Sequence, residues 1–226
     1  MKIAQTGMIT ALLLSTALPA FAQSTDAIAA TDLNIRSGPG PQFTVVGVIP
    51  GGAETMVEGC LDTSSWCQVK FGEVTGWSSS DYLAVNVDEQ AMALTTRPAS
   101  VEVNSVTYED VDGTMKNQTQ GAAVGATLGV LTGVAVGGPI GGIIAGGILG
   151  GAAGSAVAEP EEKTITYVTT NPVETVYVDG EVVVGAGVPT TVQTYELPQK
   201  EYRYLNLNGQ PVIVDAETNT IVRVIR

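Results

Sequence analysis

The sequence predicts a mostly β protein with a helical insert. Short apolar stretches separated by Gly, Pro, Asn and Asp occupy residues 28–87 and 159–226, a pattern typical of strands and tight turns. Residues 117–158 lie between them, lack Asp, Glu, Lys and Arg, and are rich in glycine and alanine. Because the glycines of this segment recur every fourth residue, they lie on one side of a helix, and the insert is predicted to be helical.

An export signal is predicted for residues 1–22. Lys2 supplies the positive start, residues 9–18 supply the apolar middle, and Ala20-Phe21-Ala22 has the small residues that precede a cleavage site. The apolar part is too short to span a bilayer comfortably, which favours a cleaved signal over a retained anchor. We therefore expect an exported chain that begins at Gln23 and resides in the periplasm or cell envelope.

Composition excludes several classes of function. The formal net charge is −13, and nucleic-acid binding needs Lys and Arg clusters that the sequence lacks. No nucleic-acid partner is therefore expected. The sequence also contains no histidine, which excludes His-based catalytic triads and His metal sites. We expect no catalytic residues, no metal and no cofactor.

Cys60 and Cys67 are the two cysteines of the chain. Outside the cytoplasm, an even pair close in sequence is most simply a disulfide, and two free buried thiols are the alternative. Two cysteines alone lack the ligands for a metal site. The spacing suits a cross-link at the base of a hairpin loop.

Residues 23–87 are predicted to form a small β-barrel. Turns are expected at residues 37–41 and 50–52, which are rich in Gly and Pro. A barrel is favoured over an open sheet because closure removes exposed strand edges. The predicted strands are residues 33–36, 43–49, 54–59, 66–71 and 76–78.

The same residues resemble the bacterial SH3 family. The resemblance is carried by Leu33-Asn34-Ile35-Arg36-Ser37-Gly38-Pro39-Gly40, Pro50-Gly51, Trp66-Cys67-Gln68-Val69, Gly76-Trp77 and Asp81-Tyr82-Leu83. Ser78 departs from the apolar residue that the family more often places after the Gly-Trp pair. The resemblance implies an SH3-like barrel without enzymatic activity, whose partner is a cell-wall peptide or an envelope protein.

Aromatic side chains are the candidate ligand contacts of this barrel. Trp77 and Tyr82 are the first candidates, and Trp66 is the next. The alternative is that Trp66 and Trp77 belong to the core, since aromatic side chains are highly buried on average. Arg36 either supports its loop by bonding to carbonyl groups or binds an acidic group of the ligand, and loop support is the preferred interpretation.

Residues 88–120 are predicted to be mostly linker, with one strand at residues 101–108. Asp110 and Asp112 resemble the beginning of a calcium-binding loop, but the later ligands and the closing Glu are missing. This stretch is therefore interpreted as a solvated turn.

Residues 121–158 are predicted to form a hairpin of two helices divided at Gly137-Gly138-Pro139. Fourfold glycine spacing leaves a bare stripe that a second helix can approach closely. The segment resembles glycine-zipper segments of envelope proteins, which implies membrane association or a homo-oligomer. Gly and Ala give little drive for insertion, so a soluble packed or flexible region is the alternative. The predicted packing residues are Gly125, Gly129, Gly133, Gly142, Gly146 and Gly150.

Residues 159–226 are predicted to form a small β-sheet domain. Strands are expected at residues 164–168 and 221–225, and hairpin turns at Asp179-Gly180 and Asn208-Gly209. The domain resembles one of unknown function seen in exported bacterial proteins, and that resemblance implies location and association but no activity. The residues that carry it include Gly180-Glu181-Val182-Val183-Val184-Gly185, Leu197-Pro198 and Tyr202-Arg203-Tyr204.

Three functions follow from these features. The sequence favours a non-enzymatic envelope protein in which the barrel binds a partner and the glycine segment tethers or oligomerises the chain. The second hypothesis is a self-assembling structural protein whose β domains are spacers. The third is a hydrolase that uses carboxylates, although nothing fixes a useful acid/base geometry among Glu174, Glu181, Asp215 and Glu217.

Overall fold

The part of the chain that the structure describes contains two β-sheets and one α-helix. The computed structural model describes residues 24–87, 90–110 and 159–226. The predicted signal at residues 1–22 and the predicted helical hairpin at residues 121–158, with its packing glycines, lie outside these ranges. Within them, the mostly β prediction is confirmed, and no helix is long and apolar enough to cross a membrane.

The first sheet contains eight antiparallel strands in the order β3-β2-β6-β5-β4-β1-β7-β8. All five strands predicted for the barrel are present, and the sheet continues past residue 87 into β8. The strands are β1 (Thr25–Ala29), β2 (Leu33–Arg36), β3 (Val45–Ile49), β4 (Glu54–Cys60), β5 (Trp66–Phe71), β6 (Val74–Ser79), β7 (Leu83–Val87) and β8 (Gln90–Ala93).

Alternating side chains of this sheet build an apolar core. Successive residues of a strand point to opposite faces, so one face of each strand supplies the core. Ile35 of β2, Ile49 of β3, Val57 of β4, Val69 of β5 and Leu83 of β7 are all buried in one cluster. The sheet therefore curves around a single core, as expected for an SH3-like β module.

Strand β2 is buried on both of its faces. Leu33 and Ile35 belong to the core, whereas Asn34 and Arg36 point to the opposite face and are nonetheless buried. The same opposite face continues across β6 and β5, where it carries Trp77 and Trp66. We call this surface of β2, β6 and β5 the outer face.

A disulfide joins β4 and β5 at the base of their hairpin. Cys60 and Cys67 are cross-strand partners, and their sulfur atoms are bonded. This is the position that the cysteine spacing predicts. Cys67 is fully buried in the core, so the cross-link fixes the hairpin loop to the packed part of the sheet.

The second sheet contains five strands, and one helix packs against it. The antiparallel order is β10-β11-β12-β13, and β9 pairs parallel to β11. The hairpin predicted at Asn208-Gly209 is confirmed, and both residues have the positive φ of a two-residue turn, 51° and 79°. The elements are α1 (Glu162–Thr170), β9 (Thr175–Val176), β10 (Tyr195–Glu196), β11 (Tyr202–Leu207), β12 (Gln210–Asp215) and β13 (Ile221–Val224).

The strand predicted at residues 164–168 is wrong, because these residues lie within α1. Their β-branched side chains favour a strand in isolation. Thr164 and Val168 are four residues apart, however, and both are buried on one side of the helix. Tertiary packing overrides the local preference here. The buried residues that pack with Val168 are Leu197, Tyr202, Tyr204 and Ile213.

The hairpin predicted at Asp179-Gly180 is also wrong. Gly180 does turn the chain, with a φ of 102°, but only Thr175–Val176 forms a strand before it, and that strand pairs with β11. The residues after the turn do not pair back. Val182 and Val183 instead enter the apolar cluster that contains the core of the first sheet, so the two β modules share one continuous core.

We predict that replacing both Cys60 and Cys67 by Ala lowers the free energy of unfolding by about 2.5 kcal/mol, because the short loop regains chain entropy when it unfolds. Chemical denaturation of the mature chain with and without reductant measures this. The reductant should destabilise the wild type and leave the double variant unchanged. Equal stability of the oxidised wild type and the double variant would contradict the prediction.

Candidate functional site

A buried ion pair joins the two β modules. Arg36 on β2 donates from Nε to Oε2 of Glu181 and from Nη2 to Oε1 of Glu181, each at 2.6 Å. The side chains are 1% and 0% exposed, respectively. Two parallel charge-assisted hydrogen bonds of this kind are strong and fix the orientation of both groups. The contact therefore holds residues 33–36 and residue 181 in one defined arrangement.

Arg36 also holds the loop that follows its own strand. Its Nη1 donates to the carbonyl oxygens of Pro41 and Phe43, each at 2.8 Å. Arg36 thus has the loop-supporting role that the sequence favours. It also binds an acidic group, which is Glu181 of the same chain.

Amide side chains complete the surroundings of Glu181. Its Oε1 also accepts hydrogen bonds from Asn34 Nδ2 at 2.9 Å and from the backbone N–H of Val182 at 2.8 Å. Asn34 donates to Gln210 Oε1 at 2.9 Å as well. At the rim of this cluster, Arg226 lies 3.5 Å from the Asp32 carboxylate. The buried charges are thus hydrogen-bonded, as burial in a protein interior requires.

Ser78 has a structural reason to be polar. Its side chain is buried and donates from Oγ to the carbonyl oxygen of Asn34 at 2.7 Å. An apolar residue at this position could not make that bond. The departure from the family pattern therefore strengthens the joint between β6 and β2.

The three aromatic candidates are all buried. Trp77 is 6% exposed, Tyr82 is 4% exposed and Trp66 is 9% exposed. Trp77 is the cross-strand partner of Arg36, and Trp66 on β5 is the diagonal neighbour of Trp77. Both tryptophans therefore lie on the outer face and not among the core residues of the first sheet. Burial raises the pKa of Tyr82, and the charges of Asp81 and Glu181 raise it further. Tyr82 is accordingly a neutral, buried residue near the ion pair.

An aromatic cluster forms around Trp77. Tyr108 packs edge-to-face against Trp77, with ring centroids 5.6 Å apart, and against Phe43, with centroids 5.7 Å apart. Both distances and the near-perpendicular planes are those of favourable aromatic pairs. Residues of the connector between the modules therefore cover part of the outer face.

The connector forms one bridge where the sequence predicts a strand at residues 101–108. Ser105 pairs parallel with Cys60. Cys60 donates its N–H to Asn104 O at 2.8 Å, and Val106 donates its N–H to Cys60 O at 3.0 Å. We call residues 102–108 the connector segment.

A polar cavity of about 300 Å³ lies between the β4–β5 hairpin and the connector segment. It is lined by groups of both charge signs, with Asp62 on the hairpin and Arg97 opposite. Arg97 is held by hydrogen bonds to the carbonyl oxygens of Leu94 and Val101. Nearby, burial raises the pKa of Asp81, while hydrogen bonds from Ser65 and Ser79 oppose the shift.

The carboxylates considered for hydrolysis have structural roles or lie at the surface. Glu181 is bound to Arg36. Asp215 accepts hydrogen bonds from the backbone N–H and hydroxyl of Thr218 and from the N–H of Glu217. Burial raises the pKa of Asp215, but these bonds outweigh it and the pKa is lowered. Glu174 and Glu217 are exposed.

Comparison with known families agrees with this architecture. Residues 31–84 match the bacterial SH3 domain, and residues 167–226 match a domain of unknown function, DUF1236. The chain thus contains a bacterial SH3 domain followed by this second domain, in the order that the sequence resemblances predict.

Among curated proteins, the chain is similar to "Putative N-acetylmuramoyl-L-alanine amidase YrvJ" of Bacillus subtilis (strain 168). The two are 38% identical over 63 residues, which is 26% of this chain and 12% of the relative. The chain therefore spans only a small part of that relative. No solved structure matches the chain.

Sequence reasoning missed Asn34, Phe43, Tyr108 and Gln210 as parts of these clusters, and it gave Glu181 no partner. Glu181 carried the clearest signal, because it is a single acidic residue directly before Val182-Val183-Val184. An acidic residue in such a run needs a partner if the run is buried. The sequence does not say which cation that partner is.

We predict that Glu181→Ala lowers the free energy of unfolding by about 3–5 kcal/mol, because Arg36 is left buried without a counter-charge. The double variant Arg36→Met/Glu181→Leu should lose much less unfolding free energy than the sum of the losses in the single variants Arg36→Met and Glu181→Leu. Chemical denaturation measures all variants. Glu217→Ala is the control, since Glu217 is exposed and its loss should cost within about 0.5 kcal/mol. Additive single losses would contradict the ion-pair assignment.

Proposed function

We propose that this chain is a non-catalytic cell-envelope protein whose bacterial SH3 domain binds a cell-wall peptide or an envelope protein. The observation that carries the proposal is the match of residues 31–84 to the bacterial SH3 domain. The similar stretch of a protein named as an N-acetylmuramoyl-L-alanine amidase supports a cell-wall setting. The export signal predicted for residues 1–22 is consistent with that setting.

The outer face is the proposed ligand surface, with Trp77 and Trp66 as direct contacts once Tyr108 is displaced from Trp77. Large aromatic side chains on a sheet face give extensive contact area, and such residues dominate the energy of binding interfaces. Tyr82 belongs to the buried core cluster and supports the sheet from within. Glu181 is paired with Arg36, and Asp215 accepts a hydrogen bond from Thr218, which favours a binding function over carboxylate catalysis.

We predict that the mature chain co-sediments with isolated bacterial cell wall. Trp77→Ala should weaken this on the order of tenfold, because truncating an aromatic anchor costs more than about 1 kcal/mol and tenfold corresponds to about 1.4 kcal/mol. Val46→Ala is the matched control, since Val46 is an exposed apolar residue of β3 and its loss should leave binding unchanged. Thermal unfolding verifies that both variants are folded.

Protease treatment of the wall before the assay separates the two partner classes. Binding that survives treatment indicates a wall peptide or glycan, and binding that is lost indicates an envelope protein. If the folded wild type binds neither treated nor untreated wall, the proposed function is wrong.

We further propose that the glycine segment at residues 121–158 gives membrane association or self-assembly, on the strength of its fourfold glycine spacing. Replacing Gly129, Gly133, Gly142 and Gly146 by Ile should abolish oligomers and membrane retention in sedimentation and fractionation assays. Replacement by Ala at the same four positions is the control, because it keeps the stripe narrow and should have a smaller effect. Unchanged behaviour of the Ile variant would refute this part.

A further inference from the structure

The connector segment lies on the barrel as an extended peptide. Along residues 104–108, Asn104, Val106 and Tyr108 are partly buried, whereas Ser105 and Thr107 are exposed. This alternation is that of a strand with one face against a surface. The side of the segment that meets the barrel thus carries an amide, a small aliphatic and an aromatic side chain, at Asn104, Val106 and Tyr108.

Main-chain hydrogen bonds hold the middle of this segment to the edge of β4. Both bonds use the backbone of Cys60, which donates to Asn104 O and accepts from Val106 N–H. Strand β1 covers β4 only as far as Val57, so the edge beyond it is available to another chain. Backbone pairing of this kind requires no particular side chains and is a common way for domains to bind extended peptides.

Gly59 leaves room for the segment. A Cβ at this position would lie 2.5 Å from Cγ1 of Val106 and 2.9 Å from the carbonyl oxygen of Asn104. Any larger residue would therefore push the connector segment away. The barrel surface at β4 is shaped for a closely approaching chain.

The end of the segment fills an aromatic cleft. Phe43 and Trp77 are each 6% exposed, and the ring of Tyr108 contacts both edge-to-face. Tyr108 therefore covers part of both rings. Buried aromatic anchors seated in a pocket are typical of binding sites.

We infer that this groove, formed by the edge of β4 at Cys60 and by the Phe43–Trp77 cleft, is a peptide-binding site that the connector segment occupies in cis. Its external partner is an extended peptide with a small aliphatic residue and an aromatic residue two positions later. The inference rests on the proposed function in taking the domain to be a binding module, and it selects a protein segment as the partner.

Because the connector segment occupies the site in cis, an external peptide must compete with it. A segment tethered by a short connector has an effective concentration on the order of millimolar. A free peptide of the same sequence at micromolar concentration therefore cannot compete with it. An external partner must bind more tightly than the connector segment or act where that segment has been withdrawn.

The test uses a labelled synthetic peptide of residues 101–110 and the mature full-length chain. The variant Val106→Ala/Tyr108→Ala weakens the connector segment, and its control Thr107→Ala/Glu109→Ala changes only outward-facing residues. Fluorescence anisotropy should show binding to the first variant at least tenfold tighter than to the wild type or to the control. A peptide with Ala in place of its tyrosine should lose binding.

If the first variant proves unstable, Tyr108→Ala alone takes its place, and a further variant tests the groove itself. Adding Gly59→Ala to the first variant should abolish binding of the peptide, because the new Cβ occupies the space of Val106. Peptide binding that is equal for wild type and variant, absent from a folded variant, or unchanged by Gly59→Ala overturns the inference. Peptide exchange without any cell-wall binding would instead overturn the proposed wall target and support this site.

Discussion

Arg36 and Glu181 are almost completely removed from water, and each is therefore stable in its position only because the other is there. Desolvation of either ion alone costs several kcal/mol, and the pair offsets this through two short hydrogen bonds and the amides around them. A bidentate contact tolerates little displacement. The consequence is geometric. Residues 145 positions apart in sequence are held in one register, and the second sheet is positioned against the outer face of the first.

The ion pair also accounts for the local structure of both partners. On one side, Arg36 donates to two loop carbonyls and fixes Phe43 where its ring meets Tyr108, which also contacts Trp77. On the other side, Glu181 draws the chain after Gly180 toward the first sheet, so that Val182 and Val183 enter the common core instead of pairing back on the preceding strand. One contact thus explains the loop conformation, the absence of the expected hairpin at this point, and the shared apolar cluster.

Local patterns predict the strands well where the signal is local. The alternation of residues 33–36, the cysteine spacing and Asn208-Gly209 all lead to the observed strands, disulfide and turn. They fail where distant residues decide the outcome. Thr164 and Val168 adopt a helix because Val168 packs with Tyr202 and Tyr204 and Thr164 donates a hydrogen bond to Gln199. The burial of Asn34 and Arg36 depends on Glu181 and Gln210, which no nearby residue reveals.

The same distinction applies to the aromatic site. Alternation places Trp66 and Trp77 on the outer face, but it does not show that Tyr108 lies over Trp77. Two parts of the chain cover the outer face, Glu181 at Arg36 and the connector segment at Trp77. Because Arg36 and Trp77 are cross-strand partners, these two covers meet at one point of the sheet. The cover at Arg36 is a fully buried ion pair, whereas the cover at Trp77 is partly exposed. It is held by backbone hydrogen bonds to Cys60, by side-chain hydrogen bonds such as that from Ser105 Oγ to Asp62, and by the ring of Tyr108. A partner that replaces the weaker cover meets a surface that the stronger one keeps rigid. Binding of that partner then carries no free-energy cost for ordering the barrel. Such preorganisation allows a small aromatic cleft to bind an extended peptide.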